Sequence, residues 1–117
     1  MLDLKATKKV TIGENQYEIG KVQRKVMLMY LAALTDCTSN EEFAACLYGY
    51  LPFFLVSAVI EGDKMPAPTM ESDNRTQVRV ADFQWIADNV PGLQAKELIN
   101  TCADYNGVSE EDKKKQE

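Results

Sequence analysis

Charge is missing from two long stretches of this chain. None interrupts Val26 to Leu34, and none interrupts Phe43 to Ile60. A helix that is apolar nearly all round must be covered on most sides, unlike a surface helix with a polar back. The pattern predicts two hydrophobic helical units, 22–34 and 40–61. The second is expected to bend or break at Pro52, whose ring removes a donor and crowds the carbonyl four residues back. On the first unit Val22, Val26, Met29, Tyr30 and Ala33 define one face, broadened by Met27, Leu31 and Leu34. On the second, Phe43, Cys46, Leu47, Tyr50 and Phe54 line one side. Between the units, Thr38 with Glu41 or Ser39 with Glu42 has the spacing of a capping box, in which hydroxyl and carboxylate satisfy orphan amides reciprocally. So short a chain has little else to cover both units, so part of their apolar surface is expected to meet another protein.

Ahead of the helices, residues 1–21 read as a β-hairpin. Val10 to Ile12 and Tyr17 to Ile19 alternate apolar and polar, and Gly13 to Gln16 supply turn residues for a four-residue connection. Val10, Ile12, Tyr17 and Ile19 would share one face, and Leu2 and Leu4 would extend the first strand. A lone two-stranded hairpin is marginal in water, so that face must rest on the helices or on another subunit. Residues 62–77, with Pro66, Pro68 and a polar run from Glu71 to Thr76, read as a loop. Helical spacing returns over 80–105: Phe83, Ile86, Ala87 and Val90 first, then, after a break at Asn89 to Gly92, Leu98, Ile99, Cys102 and Tyr105. Asn106-Gly107 suits a C-terminal cap. The expected architecture is one α+β domain over 1–107, mostly α: a short N-terminal β-hairpin followed by four to five helices. Residues 108–117 make a charged flexible tail.

Composition narrows the function. A formal net charge of −5 argues against nucleic-acid binding, which calls for a basic face. The uncharged run 43–60 reaches the lower limit of the roughly 18–20 residues that a spanning helix needs. Gly49 and Pro52 near its centre and Glu41, Glu42, Glu61 and Asp63 at its ends argue against a membrane. The 3 cysteines, Cys37, Cys46 and Cys102, are too far apart for a zinc or redox motif and fit free thiols in a reducing cytoplasm. With 0 histidines, nucleophilic triads and His-based metal sites are excluded, and the scattered glycines form no phosphate-cradling loop. No catalytic, cofactor-binding or metal-binding residue is nominated, and the expectation is a protein without enzymatic activity or cofactor.

The stretch Val10 to Ile19 (VTIGENQYEI), running straight into a helix at Val22, resembles the opening of the small tail assembly chaperones of long-tailed bacteriophages. Those begin with a short strand, a Gly-containing turn, a second strand with an aromatic, and then helix. The resemblance implies a cytoplasmic, non-enzymatic helper that binds the long helical tape-measure protein and self-assembles into homo-oligomers while the tail is built. In that family a programmed frameshift often adds a C-terminal extension, and an adenine run encoding Lys113 to Lys115 could serve as the slippery site. The alternative is a small structural protein, a head–tail joining or minor tail component, retained in the virion. Apolar helical surface suits a binder of apolar helices, and the partner-binding side chains expected from the two runs are Met27, Tyr30, Leu31, Phe53 and Phe54, since aromatic residues and methionine are favoured at interface centres.

Overall fold

The N-terminal alternation yields the expected hairpin. The computed structural model describes residues 6–73 and 76–107; Leu2, Leu4 and the tail over 108–117 lie outside the described residues. Strands β1 (Thr7–Ile12) and β2 (Asn15–Gly20) are antiparallel, with Val10 opposite Tyr17 and Ile12 opposite Asn15. That register leaves two residues, Gly13 and Glu14, for the turn, in place of the four-residue connection expected. Gly13 takes φ 61°, a left-handed value that a hairpin turn of this length requires. Asn15, assigned to the turn from sequence, is instead a buried strand residue.

Helix α1 (Arg24–Thr35) follows, then α2 (Asn40–Phe54). Ser39 caps α2: its hydroxyl accepts from the Glu42 amide at 3.1 Å, while the Glu42 carboxylate accepts from the Thr38 amide at 3.2 Å. The reciprocal bond thus lands one residue earlier than in the standard box. Pro52 sits in the last turn of α2, and the chain passes without a loop into β3 (Leu55–Ile60). The Pro52 carbonyl, one of those a helix end leaves unpaired, accepts from the Ala81 amide at 2.8 Å.

The fold is α+β with helices that do not dominate, which corrects the mostly α expectation. Four helices and six strands occur among the described residues. Two stretches account for the difference. Residues 55–60, read as the end of a helix, pair with β2 as a strand. Leu55, Ala58 and Ile60 are buried there while Val59 is exposed, and the Val- and Ile-rich composition suits a pleated surface. A short apolar run does not reveal its period, so it was absorbed into the helix before it. Residues 62–77, read as a loop, contain β4 (Asp63–Lys64), β5 (Thr69–Asp73) and the start of β6 (Thr76–Val80), which forms a hairpin with β5. Their polar residues alternate too weakly to betray strands, yet Asp73 pairs with Thr76 across a two-residue connection.

The first sheet runs β1-β2-β3-β4, antiparallel throughout, and β5-β6 form a separate two-stranded sheet. The central strand β2 buries Tyr17 and Ile19, onto which α4 (Gly92–Tyr105) packs. Helix α2 contacts α1, α3 (Phe83–Asn89), α4 and β6. The core gathers Ile19, Leu51, Phe54, Leu55, Ile86, Leu98, Ile99 and Cys102, each essentially inaccessible to solvent. Of the face expected on the third helical stretch, Ile86 and Val90 are buried but Phe83 and Ala87 are exposed.

The β3–β4 turn places both Glu61 (φ 51°) and Gly62 (φ 86°) in the left-handed region, as a type I′ hairpin turn demands. Asn tolerates that region better than Glu. Glu61→Asn should therefore stabilise the protein by about 0.5–1 kcal/mol, read as a higher urea midpoint; a lower midpoint would contradict the turn assignment.

Candidate partner-binding surface

Helix α1 buries Val26, Met27 and Tyr30 and leaves Ala33 and Leu34 half-buried. This buried arc differs from the expected one. Met29, read as inward, is 51% exposed, and its neighbour Leu28 is 55% exposed. With Val26, Met27 and Tyr30 fixing the inward direction, positions 28 and 29 fall on the far side of a helix turning about 100° per residue.

On α2, Leu47, Leu51 and Phe54 point inward, and Phe43, Cys46, Tyr50 and Phe53 are half-buried against the core. Four aromatic rings mark where α1 meets α2. Tyr30 lies 5.3 Å from Tyr50 and 6.2 Å from Phe54 between ring centroids, the latter edge-on, and Tyr50 lies 5.9 Å from Phe53. These are offset and edge geometries, each adding about 0.5–1.5 kcal/mol beyond area burial. The cluster leads from the sealed core at Phe54, through Tyr30, out to the partly accessible rings of Tyr50 and Phe53.

Of the five side chains nominated from sequence, Met27, Tyr30 and Phe54 are core. Leu31 and Phe53 are half-buried. The aromatic chain joins Tyr30, Phe53 and Phe54, whereas Met27 and Leu31, four residues apart, share another flank of α1. Sequence reasoning missed Tyr50, Leu28 and Met29 as surface. Tyr50 and Met29 had been assigned inward, and Leu28 needed the true inward direction of α1.

Side-chain hydrogen bonds tie distant elements together. The Tyr17 hydroxyl and the Asn15 amide both donate to Gln94 Oε1, at 2.6 and 2.8 Å, and Asn15 Oδ1 accepts from the Glu61 amide at 3.2 Å, tying the first hairpin to α4 and to the β3–β4 turn. The Tyr48 hydroxyl donates to the Val90 carbonyl at 2.6 Å. Burial raises the pKa of Tyr17 and Tyr48, so these two hydroxyls serve as neutral donors, and it raises Tyr30 and Tyr50 as well. No group of three or more His, Cys, Asp or Glu side chains gathers among the described residues. No helix among them is long and apolar enough to cross a membrane. Compared with protein-family models, curated proteins and solved structures, the chain matches none.

Cys102 is buried, whereas Cys46, expected in the core, is half-buried like Cys37. Burial, then the neighbouring Cys37 thiol, pushes Cys46 up to about 11, and burial raises Cys102 and Tyr30 as well. Above about pH 9 an unfolded thiol has begun to release its proton while these native groups keep theirs. Their stabilising contribution is complete below that pH and is lost as pH rises towards 11. The urea midpoint should fall across that window, and Cys102 should resist alkylation at neutral pH until the protein unfolds. A flat midpoint with rapid native labelling of Cys102 would contradict the burial of these thiols.

Proposed function

We propose that this protein is a non-enzymatic chaperone of phage tail assembly. It acts in the host cytoplasm, binds an apolar helical segment of the tape-measure protein, and self-associates while the tail is built. The observation that carries the reading is the aromatic edge of α2. Tyr50 and Phe53 are half-buried, their inner sides packed on the core, so each offers a rigid ring at little further cost in side-chain entropy. Aromatic anchors of this kind, set beside a helix, suit the capture of an amphipathic helix by its i, i+3, i+4 and i+7 side chains. The strand, Gly-containing turn, strand and helix of residues 7–35 supports the same reading through the resemblance to tail chaperones.

Co-expression with the tape-measure protein, followed by pull-down, tests it. Phe53→Ala and Tyr50→Ala should each weaken capture about tenfold or more, the scale of an interface hot spot, with the fold retained. Phe54→Ala should instead cost about 3–5 kcal/mol of stability, as a core truncation. Failure of the wild-type protein to capture the tape-measure protein, with its recovery from mature particles, would replace this reading with that of a retained structural component.

A further inference from the structure

The fold brings together two thiols that the sequence keeps apart. Helix α1 ends at Thr35 and α2 begins at Asn40, so four residues, Asp36 to Ser39, turn the chain back. Across this turn the Tyr30 ring of α1 lies 5.3 Å from the Tyr50 ring of α2, which fixes how the two helices face each other. Cys46 stands one turn back from Tyr50, on a half-buried stripe that Phe43 and Phe53 continue in steps of three and four. Leu34 stands one turn on from Tyr30, and the Cys37 amide donates to the Leu34 carbonyl at 3.2 Å, winding Cys37 under the same end of α1. Both sulfurs therefore arrive at the closed end of the helix pair. The Cys46 thiol is hydrogen-bonded to Cys37, and Cys37 Sγ donates to the Ala33 carbonyl at 3.3 Å. Cys37 and Cys46 are each half-buried, whereas Cys102 is sealed in the core.

We propose that Cys37 and Cys46 form a redox-sensitive pair, which a small-molecule disulfide of the glutathione class converts into an internal disulfide bond. Thiols already in contact close to a bond largely by rotation of their own side chains. Cys37 opens the exchange. Its thiolate attacks one sulfur of the oxidant, breaks the oxidant's S–S bond and releases one half as a thiol. Cys46 then gives up its proton and attacks the Cys37 sulfur, which displaces the second half. The two protein thiols lose two electrons and two protons in all, and the oxidant leaves as two thiols. Burial, then the neighbouring Cys37 thiol, holds Cys46 up at about 11, so Cys46 stays protonated until the mixed disulfide stands beside it. In a reducing compartment both thiols persist, and the bond is a reversible response to oxidising conditions. It closes residues 38–45 into a loop and ties the end of α1 to α2 one turn from Tyr50. The pair goes beyond the tail-assembly reading and does not depend on it.

Oxidised glutathione tests the pair on the folded, full-length chain at mildly alkaline pH, with an acid quench followed by peptide mapping. The main product should be a peptide linked through Cys37 and Cys46, with Cys102 still free, and dithiothreitol should restore all the thiols. A cross-link removes freedom from the unfolded chain, so the oxidised protein should have a higher urea midpoint than the reduced protein. Cys37→Ser and Cys46→Ser each leave one sulfur of the pair, and neither variant should form an internal bond; Cys46→Ser should stop at a mixed disulfide between Cys37 and glutathione. Glutathione that stays on both Cys37 and Cys46 with no bond between them would overturn the pair. So would a bond to Cys102, a lack of reaction at both half-buried thiols, or a urea midpoint that falls on oxidation.

Discussion

Three residues at the passage from β2 towards α1 hold the parts of this molecule together. Gly20 ends β2 and Lys21 and Val22 follow it, and elements from across the chain close on all three. The Asn106 side chain accepts from the Val22 amide at 2.9 Å and donates to the Gly20 and Cys102 carbonyls at 3.3 and 2.8 Å, fastening the end of α4 to the start of α1. Lys21 donates to the Tyr105 carbonyl, and its ammonium lies 4.1 Å from the centre of the Tyr105 ring, a cation–π contact. From the other side the buried Arg79 of β6 donates to the Lys21 and Phe53 carbonyls at 3.3 and 3.4 Å. Its guanidinium presses so close to Gly20 that a Cβ there would lie 2.7–2.9 Å from guanidinium atoms. A side chain at position 20 would force the Arg79 guanidinium to shift.

This junction decides where the candidate surface lies. A two-stranded ribbon such as β5-β6 is marginal alone, and Arg79 is what plants it on the body of the protein. Both bonds leave one guanidinium nitrogen, Nη1, which carries a hydrogen for each carbonyl. Burial lowers the Arg79 pKa, and the hydrogen bonds to carbonyls from both sides repay part of that desolvation. Because one of those carbonyls belongs to Phe53, the same contact holds the last turn of α2 beside the residues that lead into α1. The aromatic edge of α2 and the outer face of α1 are therefore presented by one clamp, which also takes in α4.

How much of this was legible in the sequence depended on whether local chemistry or distant packing decided the outcome. The first hairpin, the two apolar helices, the Ser39 cap and the last helix were readable because alternation, helical spacing and capping chemistry are local signals. Residues 55–60 were not, because an uncharged run has no period of its own until a partner strand supplies one. The β5-β6 hairpin was hidden by its polarity. Its hold on the body includes Arg79 meeting carbonyls far away in sequence and the packing of β6 on α2. The surface failed for a subtler reason. A sequence shows that α1 has apolar residues on most sides but not which side the core takes. Leu28 and Met29 therefore could not be separated from Met27 and Tyr30, nor Phe53 from Phe54.

A double-mutant cycle on Arg79 and Asn106 tests the junction most directly. The two side chains approach Gly20 to Val22 from different elements. Arg79→Ala and Asn106→Ala should each lower the free energy of urea unfolding by about 1–3 kcal/mol, as buried hydrogen-bonding groups do. If the junction acts as one clamp, the losses should be coupled by about 0.5–3 kcal/mol, as for residues sharing one network. Losses that add to within about 0.3 kcal/mol would show two independent contacts, and the clamp would not exist.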